Sequence, residues 1–437
     1  MNQDIRVVGL ATMLERLLPG SVVTVTPGPP EHPIPVLYEH VTDDCSVALL
    51  SVPSGFSFWL SISRIASWTF AIERLVLPFT KAERKLFSRL PRTLMTVLAG
   101  SAQGSVNEPS KLGALLAFEH LLVAQLVRGE TGGYWSHLFI LQALADLTFV
   151  RYETARATSG IVYSSQPELY LEALPKTQYR FSPFRDVIPL SQTVFHLPAA
   201  HRYVDGRNSF YLIDNRRSVL GILRSVDPTR FSMVERCGGA HCVELVREMP
   251  GRTWVAYLGY NDDVHVRGRS GLSLRWHANH WHSRDEKLLT ALLVASKVDP
   301  SVASLLSLLM FALSDLRRGA LVLIPDDSSV LPPTVGSIDR SALGDALREQ
   351  FTLCSISDLQ KSHTALAVLS SDGLTTIDRS GSIISCGQIL QLDQSATLQG
   401  GGRTHAARIA SKWGMTLKVS QDGPITVFHA GKQIWSI

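Results

Sequence analysis

A chain of 437 residues, 45% hydrophobic and 18% charged, exceeds what one hydrophobic core usually holds and is too apolar for intrinsic disorder. A net charge of +4 is too small to mark a nucleic-acid or anionic-membrane binder, and beyond residue 300 eleven Lys/Arg balance eleven Asp/Glu. Five cysteines make no disulfide framework, no apolar run reaches the roughly 18–20 residues of a membrane span, and Met1–Leu10 lacks a signal-peptide core; a cytoplasmic protein without membrane or nucleic-acid partners is expected.

In chain order, residues 1–60 read as strand-rich, with Val22, Val23 and Val25 followed by a proline cluster from Pro27 to Pro35. From about Ser61 to Glu153 the pattern reads as helical. Leu112, Leu115, Leu116, Phe118, Leu121 and Leu122 recur at three- and four-residue spacing, and Leu138, Leu141, Leu144 and Phe149 repeat this after Gly132-Gly133. Four prolines at 167, 175, 183 and 189 predict an irregular connector over 160–195. Alternation around Phe210–Ile213, Val219–Leu223, Thr253–Leu258, Val264–Val266 and Leu272–Trp276 predicts an antiparallel meander, with a turn at Asn261-Asp262-Asp263. Helices are expected over Leu288–Leu293, Val302–Leu316, Ser341–Gln350 and Ala406–Trp413. Short strands are expected at Ala320–Ile324, Thr364–Leu369, Gly373–Ile377, Ile383–Ile384, Leu417–Val419 and Thr426–Phe428.

Two constellations carry chemistry. Asp372-Gly373 follows an apolar run; its carboxylate can hold a divalent metal or take a proton, and its glycine lets a ligand come close. An ordinary turn between two strands accounts for the same residues. Gly400-Gly401-Gly402-Arg403-Thr404-His405 leads into a predicted helix, where backbone N–H groups, the Arg403 guanidinium and the Thr404 and His405 side chains suit a phosphate. A flexible loop capped by Thr404 is the plainer alternative.

The order of these parts resembles the catalytic domain of bacterial diadenylate cyclases. Gly319-Ala320-Leu321-Val322-Leu323-Ile324 is followed about fifty residues later by Asp372-Gly373-Leu374, then by Asp378-Arg379-Ser380-Gly381, Gly387-Gln388-Ile389-Leu390 and the glycine loop. That family is similar in showing Gly-Ala-Leu-Ile-Val, Asp-Gly-Ala and Gly-Thr-Arg-His-Arg-Ala-Ala in this order. The resemblance covers roughly residues 300–437. It implies that two ATP molecules, one per domain and held face to face in a homo-oligomer, condense to cyclic di-AMP with loss of two pyrophosphates, with Mg²⁺ or Mn²⁺ required. It implies catalytic roles for Asp372, Gly373 and Arg403, with Asp372 activating the 3′-hydroxyl or holding the metal. Nucleotide contacts would come from Gly401, Gly402, Arg403, Thr404, His405 and Ser411. Three departures stand out: Leu374 for alanine, Thr404-His405 for His-Arg, and Ser411-Lys412 for Ser-Glu. Lys412 is one candidate for the missing positive charge. A domain that binds nucleotide without turnover is the alternative.

The fold expected is multi-domain α+β, in three parts. Residues 1–195 form a mixed, partly helical sensor region and 196–298 a β-rich segment. Residues 299–437 form an α/β cyclase-like domain with a mixed central sheet flanked by helices. The sensed ligand or protein partner has no signature in the sequence. Cys237-Gly238-Gly239-Ala240-His241-Cys242 matches no standard zinc spacing and reads as a Gly-Gly turn between strands. Trp276, His277, His280, Trp281 and His282 read as packing at a domain edge or the lining of a small-ligand pocket, and Arg216-Arg217 as a hairpin turn.

Overall fold

The computed structural model describes residues 5–30, 36–42, 45–51, 57–63, 68–74, 76–94, 119–127, 135–152, 155–189, 202–269, 271–337, 341–352, 354–391 and 401–437. Expectations that rest on Pro33, Pro35, Leu112–Phe118, Gly132-Gly133 and Gly400 fall outside these residues. The protein is mixed α/β, and its described residues form two mixed multi-strand sheets, a five-stranded antiparallel sheet and a two-stranded antiparallel one. It divides into two units, residues 1–232 with 239–284, and 233–238 with 285–437.

The first unit begins with a helix, Ile5–Leu17, where strands were expected. Leu10, Met13, Leu14 and Leu17 fall at helical spacing and are buried, and the helix packs on the strand Ser21–Pro27. That strand is the edge of a five-stranded antiparallel sheet continuing through Trp68–Arg74, Ser57–Ser63, Cys45–Ser51 and Val36–Thr42. Residues 61–63 and 68–74 are therefore strand rather than helix: Phe70 and Ile72 are buried two apart while Ala71 and Glu73 lie on the other side. The helix Lys81–Phe87 opens with a capping box between Thr80 and Glu83. Glu83 also receives Arg74 in a buried ion pair.

The larger sheet of this unit has eight strands. They run His280–Ser283, Ser273–His277, Val264–Gly268, Thr253–Leu258, Gly160–Ser164, Ser209–Ile213, Ser218–Ser225, Tyr179–Pro189. The meander is present, but Gly160–Ser164 runs parallel to Ser209–Ile213, so the sheet is mixed. The boundary drawn at 195 falls inside this sheet. Over its described residues, 160–189, the expected connector is in fact strand, helix and strand. Pro167 starts the helix Pro167–Ala173, where a missing N–H costs nothing, and Pro183 and Pro189 lie on the outermost strand. Gly238-Gly239 separates two short helices, Met233–Cys237 and Ala240–Val243, not two strands. Arg216-Arg217 and Asn261-Asp262-Asp263 sit between paired strands as expected, with Arg217 and Asp262 in the left-handed region. Trp276 and Trp281 are buried in the core on one face of the Ser273–Ser283 hairpin.

The second unit is built on a seven-stranded sheet. Its order is Thr334–Ser337, Ile383–Leu390, Leu374–Ile377, Ala320–Pro325, Gly414–Val419, Ile425–His429, Lys432–Ser436. Only Ala320–Pro325 and Leu374–Ile377 run parallel; the other neighbours are antiparallel. Every residue of Ala320–Pro325 is buried, which requires cover on both faces. The helix Gly402–Ala410 covers the face of Leu321 and Leu323, with Ala407 and Ala410 in the same core as Leu374 and Phe428. The helix Pro300–Asp315, capped by Asp299, packs against Gly414–Val419 and Ile425–His429. The helix expected over Ala406–Trp413 begins earlier and spans Gly402–Ala410, and one expected strand changes type. Ala365–Leu369 is a short helix, not a strand, because Ala365, Leu366, Val368 and Leu369 bury at spacings of three and four as well as one.

Candidate functional site

The sheet brings the two sequence constellations to one edge. Because Ala320–Pro325 and Leu374–Ile377 are parallel, their N-terminal ends lie side by side, and Val322 pairs with Thr375. Asp372-Gly373 immediately precedes the second of these strands and Gly319 the first. Asp372 therefore sits in a helix-to-strand turn after Ala365–Leu369, neither at a strand end nor between two strands. Its side chain is 70% exposed. Ser371 fastens the turn behind it by donating its hydroxyl to the Val368 carbonyl at 2.7 Å.

Arg403 comes to Asp372 from 31 residues away, in the first turn of Gly402–Ala410. Its Nη2 donates to Asp372 Oδ1 at 3.4 Å, and its side chain is 30% exposed. A Cβ added to Gly319 would overlap the Arg403 guanidinium. The absent side chain at 319 is thus what lets Arg403 lie across the start of the strand.

The glycines divide by role. Gly373 has φ +107°, and a Cβ there would stand 2.7 Å from the Gln388 carbonyl oxygen. Its conformation and the neighbouring strand already demand glycine, with no ligand invoked. Gly401 and Gly402 are different: both have open space where a Cβ would go. Gly401 caps the helix without a side-chain hydrogen bond, so the plainer reading of Thr404 as the cap is replaced. Helix geometry leaves the N–H groups of Gly402 and Arg403 without intrahelical acceptors.

Lys418 is the residue that motif reading missed. It pairs across the sheet with Leu321, which sets it on the face covered by Gly402–Ala410, and its Nζ donates to Thr404 Oγ1 at 2.8 Å. Burial pushes its ammonium pKa down; Asp422 opposes this and Arg403 adds to it. A lysine between Leu417 and Val419 in the strand-like run Met415–Val419 is the signal that could have pointed to it.

Two expected members do not join. His405 is buried within its helix, with only 6% exposure. Ser411 is fully buried at the opposite end of a helix that spans about 13 Å from Gly402. Its hydroxyl donates to the Arg408 carbonyl and accepts from Gly431 N–H, while its carbonyl accepts from Ala430 N–H. Lys412 follows Ser411 and is exposed at that same far end, so it is no substitute for a charge beside Arg403. Among the described residues no group of three His, Cys, Asp or Glu side chains is placed to hold a metal. A single exposed carboxylate nevertheless suits Mg²⁺, which takes one or two carboxylates and completes its shell with substrate phosphates and water. Among the described residues no helix is long and apolar enough to cross a membrane. No protein-family model matches the chain, and no curated protein matches it.

Proposed function

We propose that the second unit is a diadenylate cyclase that condenses two ATP into cyclic di-AMP and two pyrophosphates. The observation that carries this reading is the convergence of Asp372 and Arg403 at 3.4 Å beside the open Gly401-Gly402 backbone. A triphosphate lying on the first turn of Gly402–Ala410 meets backbone donors, the Arg403 guanidinium and the Thr404 hydroxyl. The exposed Asp372 faces the same place, ready to take the proton of a 3′-hydroxyl or to hold a divalent cation. Mg²⁺ or Mn²⁺ held by Asp372 and the triphosphate would neutralise charge at the α-phosphate. Each 3′-oxygen attacks the α-phosphorus of the other ATP, its bond to pyrophosphate breaks, and the 3′-proton passes to Asp372 or to water. Two domains must face each other for this, so a homo-oligomer is part of the reading. The first unit is read as the regulatory part. Arg403 acts by position and charge, with no covalent enzyme intermediate.

The burial of His405 favours a second reading, in which the edge binds ATP or a cyclic dinucleotide and turns nothing over. Incubating the full chain with ATP and Mg²⁺ or Mn²⁺ and measuring cyclic di-AMP by mass spectrometry decides between them. Product that falls by about 10²–10⁴-fold in Asp372→Asn is expected for the cyclase. ATP binding without product supports the second reading, and neither binding nor product removes both.

A further inference from the structure

The loop 403–405 brings one fixed cation to the site, yet a triphosphate carries several negative charges. His405 is turned inward and Lys412 lies at the wrong end of the helix. The sheet register supplies what the loop lacks. Lys418 stands on the strand beneath the first helical turn, opposite Leu321 on one side and Thr426 on the other. Its ammonium reaches past the buried face of the helix to the Thr404 hydroxyl. We propose that Lys418 is a phosphate-binding residue of this edge, acting with Arg403 on a nucleotide triphosphate seated at the start of Gly402–Ala410.

Three features carry the assignment, which rests on reading this edge as a nucleotide site. First, the partner of Lys418 is a neutral hydroxyl, which leaves its charge uncompensated by that bond. Second, Lys418 is faced by Arg403 from the helix and by Asp422 from the turn after its own strand, and Arg403 has its own acid in Asp372 only through one long, solvent-facing contact, so both cations stand together with bonding capacity for a phosphate. Third, the partly desolvated ammonium is held less tightly than in water, and an incoming phosphate would restore its hydrogen bonds. The open space at Gly401 and Gly402 leaves room for that phosphate. Thr404 then links the two, taking a hydrogen bond from Lys418 and turning its own hydrogen outward.

The test is equilibrium binding of adenosine 5′-(α,β-methylene)triphosphate to the full chain. Lys418→Met is expected to weaken binding by about 10–100-fold, the loss of one charged hydrogen bond, while Lys418→Arg stays within about threefold. A pH series on the native chain and Lys418→Arg adds a readout that needs no methionine variant to fold. Affinity of the native protein is expected to decline at a pH below the ordinary lysine value of 10.5, and that of Lys418→Arg to hold to higher pH. Folded Lys418→Met with unchanged affinity, or pH profiles that coincide, overturns the assignment. If Arg403→Met alone abolishes binding, the nucleotide reading survives without Lys418. If the native chain binds no analogue, both readings fall together.

Discussion

Two arginine–aspartate pairs, one in each unit, show opposite uses of the same chemistry. Asp263 in the first unit is buried and accepts from Arg275 Nε at 2.7 Å, with Nη2 of the same ion pair 2.5 Å away, while its other oxygen meets His277 Nδ1 at 2.8 Å. Burial alone would push its carboxyl up, but the bonds and charges of His277 and Arg275 outweigh that and hold it below the ordinary range. Asp372 in the second unit meets Arg403 through one contact at 3.4 Å and is mostly in water. The first pair is short, buried and shared with His277, so its role is to hold strand Ser273–His277 to the turn before Val264–Gly268. The second is long and solvent-facing, so either member can exchange its partner for a ligand at little cost. Proximity of opposite charges therefore does not identify a site; unspent bonding capacity does.

The contrast breaks most sharply at Arg275. Arg275→Met leaves Asp263 buried without its main counter-charge, and urea unfolding is expected to show a loss of about 3–5 kcal/mol, against under about 1 kcal/mol for Arg403→Met. The acid limb has a defined sign. The folded Asp263 value lies below the ordinary 3.8, so its stabilisation is complete above 3.8 and is lost as pH falls through the lower folded value; Arg275→Met should move acid unfolding to higher pH. Next in size, Gly319→Ala pushes the guanidinium off the strand start. Nucleotide affinity is expected to drop about tenfold, while unfolding free energy changes by less than about 1 kcal/mol because only the end of a flexible side chain must move. The smallest effect is at Ser411: Ser411→Ala should cost about 0.5–1.5 kcal/mol of stability and leave nucleotide affinity within about twofold. An affinity loss there would restore Ser411 to the site.

Much of the second unit is legible in its residues. The strands around 320–324, 374–377, 417–419 and 426–428 announce themselves by apolar runs between turn residues, and Asp378-Arg379-Ser380-Gly381 forms the turn it suggests, with Gly381 N–H bonded to the Asp378 carbonyl. Ala365–Leu369 is not legible, since five apolar residues suit a short helix and a buried strand equally. Prolines mislead over 160–195, because their constraint is on N–H donation and not on order, and an edge strand tolerates them. Within the site, Asp372 and Arg403 stand out as motif residues. Lys418 does not, and Gly319 stands out only as the start of the motif strand, since each matters through a neighbour that the packing of Gly402–Ala410 on the sheet brings to it. Ser411 fails for the converse reason: nine residues along a helix carry it to the other end.

The outermost strand of the eight-stranded sheet has a consequence for the life of the protein in a crowded solution. A free strand edge is a template on which another extended chain can grow, one backbone bond after another. Along Tyr179–Pro189 the backbone has no N–H at Pro183 and Pro189, so the regular exchange of bonds along the strand is interrupted at both. Prolines on an outermost strand work against strand addition, so the residues that look like a break in the fold suit a strand that must not recruit another molecule.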